Sequence, residues 1–257
     1  MKYKKKMKAV DVGIVDNQEY KFTWRQHFLP YSSMKRFCDE SGKLNVINKL
    51  KVQVNFRKLD RYESGAVAAR AWTQKTEKQL FHSIETPYFE LSKSICSGQD
   101  YLTEKDHQTL TNYISLWAAR FNYRVNDQKK HLLNGISEPQ LTQRQIQNLE
   151  QRGRTVGGVI QSYELNSALA QTEYDANRLK LKNVKWRIYR LVALDCILPD
   201  TVSNTLALPI APNIVALPVG SNLDVMSTES ISLLNLQLID GSEEYYYAKD
   251  ISRLIYC

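Results

Sequence analysis

Cysteine is scarce in this 257-residue chain: Cys38, Cys96, Cys196 and Cys257 are far apart, with no Cys-x-x-Cys pair. That excludes a clustered thiolate zinc site and a disulfide-framed miniprotein. Isolated thiols of this kind are expected to be reduced, in a cytoplasmic protein. The first ten residues are basic but have no apolar core of the kind a secretory signal needs. Long apolar runs are missing too. The uncharged stretch 201–223 is interrupted by Pro209, Pro212, Asn213 and Pro218, so it reads as buried strands and turns and not as a membrane span. Gly-x-Gly-x-x-Gly, a Walker loop, Gly-x-Ser-x-Gly and His-Glu-x-x-His are all absent. With them go the commonest dinucleotide, NTP, serine-hydrolase and zinc-protease chemistries. No cofactor and no metal ion are expected.

What is present is an ordinary globular composition, 43% apolar and 24% charged, with a formal net charge of +8. The charge is unevenly laid out. Residues 1–190 hold 33 basic and 19 acidic side chains, a net +14, whereas residues 191–257 hold two basic and eight acidic ones, a net −6. Clustered Lys and Arg are the electrostatic footprint of a polyanion partner. The expectation is therefore a nucleic-acid partner, with a protein partner as the alternative.

Periodicity predicts an α+β fold, with strands from residues 20–58 and 184–219 around a helical middle. Residues 1–19 read as a basic tail and residues 20–257 as one domain. In 43–58, Leu50, Val52, Val54 and Phe56 alternate with Lys51, Gln53, Asn55 and Arg57. That spacing predicts one face on a core and a basic, polar face outside, with Lys51 and Arg57 as phosphate-contacting candidates. Residues 75–86 and 87–97 read as two helical pieces, the second started by Pro87. Thr103 and Asp106 form a capping-box pattern, and Leu110, Tyr113, Ile114, Trp117 and Phe121 follow at helical spacing. One helix of about 30 residues, 103–134, is predicted. A Gln-rich helix at 138–151, another at 159–180 and helix over 227–255 with a break near Gly241 complete the reading.

Arg25-Gln26-His27-Phe28-Leu29-Pro30, then Met34, Phe37 and Gly42-Lys43-Leu44, form a recognisable opening. Ile84-Glu85, the run from Leu102-Thr103-Glu104 to Ala119-Arg120, Trp186, Pro209 to Pro218 and Leu234-Asn235 follow in order. This series resembles the bacterial domain-of-unknown-function family 4238. The resemblance implies a bacterial or mobile-element protein in a defence or toxin setting. The family's Ser-Asp-x-Pro segment is replaced here by Pro199-Asp200-Thr201.

Three sets of polar residues are candidates for chemistry. Arg25 with His27 offers a phosphate contact and a general base, against a structural role for His27 as a strand anchor. His82 and Glu85 are spaced i, i+3 on one helix, as two metal ligands or a solvated pair. Arg120, Arg124, Asp127 and His131 fall on one stripe if the long helix persists, and Arg124 to His131 resembles the Arg-x(4–6)-His signature of the all-helical HEPN ribonucleases. That resemblance implies metal-independent RNA cleavage, the Arg side chains holding phosphate and a His moving the proton. The competing role for the stripe is structural ion pairing. The resulting expectation is a nucleic-acid-binding protein in one of two forms. One is a nuclease-like effector with His27, Glu85, Arg124 and His131 as its catalytic set and Arg25, Arg120, Lys51 and Arg57 on the phosphates. The other is a non-catalytic interaction module.

Overall fold

The computed structural model describes residues 25–60, 65–125, 130–132, 141–151, 159–202, 206–221 and 227–254. The chain begins with strand β1 (Arg25–His27), helix α1 (Tyr31–Lys35) and the hairpin strands β2 (Lys43–Asn48) and β3 (Gln53–Lys58). Strand β4 (Val67–Ala69) leads to a π-helical turn, Thr76–Phe81, which runs directly into α2 (His82–Cys96). Next come α3 (Glu104–Asn122), β5 (Lys130–Leu132), α4 (Gln143–Gln151), β6 (Val159–Gln161) and α5 (Ser162–Lys180). The last third holds β7 (Trp186–Arg190), β8 (Leu198–Pro199), β9 (Leu208–Ala211), β10 (Ile214–Pro218), α6 (Thr228–Gly241) and β11 (Tyr245–Ala248). The fold is α+β, as its patterning predicts.

All described strand pairs are antiparallel. One sheet has the order β3-β2-β11-β8, a second β7-β10-β9, and β1-β4 and β5-β6 form two-stranded ribbons. The four-stranded sheet ties the two ends of the chain together. β11 pairs with β2 on one side, Tyr247 opposite Val46, and with β8 on the other, Tyr247 opposite Leu198. Tyr-Tyr-Tyr is a strand former, because aromatic rings pack well on a pleated surface. That preference explains why 245–248 departs from the helix predicted over 227–255, while α6 does end at Gly241.

The hairpin corrects a burial expectation. β2 supplies the core with Leu44, Val46 and Ile47, all buried. β3 lies at the sheet edge, and Val54 and Phe56 are 49% and 55% exposed. Leu50 and Val52 sit in the connecting turn, exposed as well, with Val52 at a positive φ of 49°. The alternation is real, but its apolar side is about half exposed.

The helical middle forms the other half of the core. Thr103 and Asp106 close the predicted capping box at the start of α3. Tyr113 stacks on Tyr88 of α2 with ring centroids 3.4 Å apart, and Trp117 and Phe121 continue the buried stripe. The helix then stops at Asn122, twelve residues short of the predicted end. Beyond Phe121 the next apolar residue at helical spacing, Val125, is 60% exposed, so it does not hold a further turn against the core. His131 instead sits on β5, opposite Ile160 of β6. The same ribbon explains why α5 starts at Ser162 and not at 159. Pro87 lies inside α2 and does not start a helix. An interior Pro costs about 3 kcal/mol, and α2 bears it by burying Ile84, Tyr88, Leu91 and Ile95.

Candidate functional site

α3 carries Arg120 one turn beyond Trp117, which directs its side chain into the core, where it is 2% exposed. Its Nη1 donates to Glu85 Oε1 on α2, and its Nη2 donates to Glu77 Oε2 on the π-helical turn at 3.1 Å. Trp72 Nε1 donates to the same Glu77 oxygen. The guanidinium lies 4.4 Å from the Phe81 ring centroid and 5.3 Å from that of Trp72. Burial pulls Arg120 toward neutrality, but the two carboxylates outweigh it and hold its pKa above the ordinary value. Glu85 is pushed up, first by burial and then by the like charge of Glu77, because one guanidinium serves two acids. Glu85 and Arg120 thus meet each other, as a buried ion cluster that joins α2, α3 and the π turn.

Arg124 stands just past the end of α3. Its Nη1 donates to Phe121 O at 2.8 Å, and the guanidinium packs 3.5 Å from the Phe121 centroid and 5.7 Å from that of Phe28. Among the described residues no carboxylate comes within ion-pair distance of it. Partial burial lowers its pKa, countered by Asp200, Glu244 and Glu243. Asp200, from the end of β8, accepts backbone N–H bonds from Glu243, Glu244 and Tyr245 at 2.9–3.0 Å. Its backbone oxygen accepts the Trp117 indole N–H. Burial raises its pKa in spite of those three donors. Asp200 therefore anchors the turn into β11, a structural role that any Asp with these three donors would fill.

His27 lies half-buried on β1 opposite Val67. The neighbours of His27 fix this strand: Gln26 exchanges two hydrogen bonds with the Trp72 backbone, and Phe28 packs edge-on against Phe121 at 5.6 Å. β1 and the end of α3 are thus brought together, with Phe28 against both Phe121 and Arg124. Arg25 is exposed at the start of β1. The predicted Arg120–Arg124–Asp127–His131 stripe does not form, since α3 ends before it; Asp127 and the His131 side chain lie outside the described residues. His82 points out beside Thr86, and Glu85 turns inward to Arg120, so the pair shares no ligand.

The β2–β3 hairpin collects the exposed cations. Lys43 Nζ lies 5.6 Å from the Phe56 ring centroid, and Lys43 is directly opposite Lys58 in the register. Arg57 is exposed on the other face of β3, and Lys51 in the turn donates its backbone N–H to Asn48 Oδ1. Lys51 and Arg57 were legible as surface cations in the alternation. Phe56, Lys43 and Lys58 were not, because the period of two assigns Phe56 to a core, whereas the ring is 55% exposed. Among the described residues, no group of three or more His, Cys, Asp or Glu side chains converges as a metal site, and no helix is long and apolar enough to cross a membrane. No protein-family model, no curated protein and no solved structure matches this chain.

Proposed function

We propose that this protein binds single-stranded nucleic acid on the β2–β3 hairpin. The observation that carries the reading is an exposed aromatic ring, Phe56, flanked by Lys43 and Lys58 on one face of the β2–β3 hairpin. Lysines placed directly opposite each other repel, and a phosphate between them turns that repulsion into attraction. A base stacked on an aromatic ring gains about 1–3 kcal/mol, and Lys and Arg beside it track the backbone. The +14 charge of residues 1–190 supports the same partner at longer range. The non-catalytic form of the reading is favoured, because Glu85 and Arg120 neutralise each other inside the core. The likeness to family 4238 is what suggests a bacterial defence or toxin setting for it.

Arg124 favours a second reading, a nuclease in which its guanidinium holds phosphate and His27 moves the proton. Fluorescence anisotropy with labelled single-stranded RNA and DNA tests the first reading. Phe56→Ala, and separately Lys43→Ala with Lys58→Ala, should each weaken binding about tenfold or more without lowering the melting temperature. Unchanged affinity in both would overturn the hairpin site. Cleavage of the same oligonucleotides, lost in His27→Ala and Arg124→Ala at unchanged melting temperature, would establish the second.

A further inference from the structure

A cavity of about 270 Å³ opens between the N-terminal half of α3 and the corner where α5 gives way to β7. His107 and Asn112 form one wall, and Arg178, Leu179, Lys182 and Val184 form the other. This site was not foreseen from the sequence, since His107 reads there as one polar residue in the first turns of a helix.

Asn112 Oδ1 is enclosed without a hydrogen-bond donor, and one turn further along α3 the Ser115 hydroxyl is buried in the same state. An enclosed oxygen left without a donor is unfavourable, so a ligand donor there is favoured. The torsion that carries the carboxamide is broad, so the group can turn either its oxygen or its nitrogen to the cavity. His107 Nδ1 accepts the Trp186 backbone N–H at 3.1 Å, which places the proton of the neutral ring on Nε2. Burial, and then Lys185, lower the His107 pKa, so the ring is a neutral donor near pH 7. Arg178 is half-exposed, with Asp175 no nearer than 3.6 Å, and Lys182 is exposed one turn on. Glu104 also borders the cavity, but Lys185 neutralises it.

We propose that this cavity binds a nucleoside monophosphate, its base edge on Asn112 between Leu179 and Val184 and its phosphate on Arg178 and Lys182. Turned either way, the carboxamide offers a base edge one hydrogen bond, from Nδ2 as donor or at Oδ1 as acceptor. Two cations at the mouth match the dianion of a terminal phosphate. The volume is close to the lower bound of about 300 Å³ for small-molecule sites, which suits one nucleotide and excludes a dinucleotide. This site is separate from the hairpin and stands or falls without it.

Titration of the full-length protein with the four ribonucleoside 5′-monophosphates, their four nucleosides and inorganic phosphate, followed by calorimetry and tryptophan fluorescence, tests the proposal. At least one monophosphate should bind, with its nucleoside and free phosphate each weaker by about tenfold or more. Arg178→Ala combined with Lys182→Ala should remove that advantage of the monophosphate over its nucleoside, and Asn112→Leu should weaken both. Lys93→Ala, a surface change on α2, should alter neither. No response to any monophosphate at millimolar concentration overturns the site, as does a monophosphate preference that survives Arg178→Ala with Lys182→Ala. If Asn112→Leu fails to fold, that second comparison decides alone.

Discussion

Two carboxylates, Glu77 and Glu85, share the single guanidinium of Arg120. Removing Arg120 leaves both acids largely buried and unpaired, which costs about 3–5 kcal/mol. Arg120→Ala is therefore expected to lower stability by that amount in denaturant titration, with any loss of binding following the unfolded fraction. The same cluster has a signature in pH. The folded-state pKa of Glu85 lies above the ordinary 4.5, so the folded chain holds that proton more tightly than the unfolded chain. The stability Glu85 contributes is full below 4.5 and is lost as pH rises through its folded value. Asp195, Asp200 and Glu164 are shifted the same way, but they act equally in wild type and variant and cancel in the comparison. Melting temperatures of wild type and Glu85→Gln should therefore diverge in favour of Gln as pH is raised from 4.5 toward neutrality. Divergence in the opposite direction would show that the Arg120 charge, and not burial, governs Glu85.

Whether an element was legible depended on whether its cause is local. The start of α3 was readable because a capping box needs only two residues three apart, and Thr103→Ala should cost about 1 kcal/mol in thermal unfolding. A loss near zero would mean that packing alone fixes that end. The end of α3 was harder to read, since a helix stops where its buried face stops, and the face is defined by neighbours distant in sequence. The hairpin shows the same limit. Alternation in 53–58 identified strand β3, but burial of Val54 and Phe56 depends on what packs over that face of the sheet, which alternation does not say. β11 was read as helix because its reason to be a strand is the gap between β2 and β8, from chain segments about 200 and 50 residues away. Arg120 and Glu85 stand out in the sequence as charged residues, but charge in a sequence does not say which side of the surface it occupies.

Along the sequence, residues 1–190 carry the positive charge and residues 191–257 the negative. Arg124, Asp200, Glu243 and Glu244 mark the place where the two meet. The hairpin lies in the positive part, with Lys43, Lys51, Arg57 and Lys58 exposed around Phe56. Each phosphate neutralised there releases counterions, so the logarithm of affinity should fall linearly with the logarithm of salt concentration, by about 0.7 per phosphate for a single strand. The most direct measurement is that slope for wild type and for Lys43→Ala with Lys58→Ala, on one labelled single-stranded oligonucleotide. The account requires a steep slope in wild type and a slope shallower by about 1.4, two phosphates' worth, in the double variant. Equal slopes in the two proteins, or no binding by wild type at low salt, would contradict it.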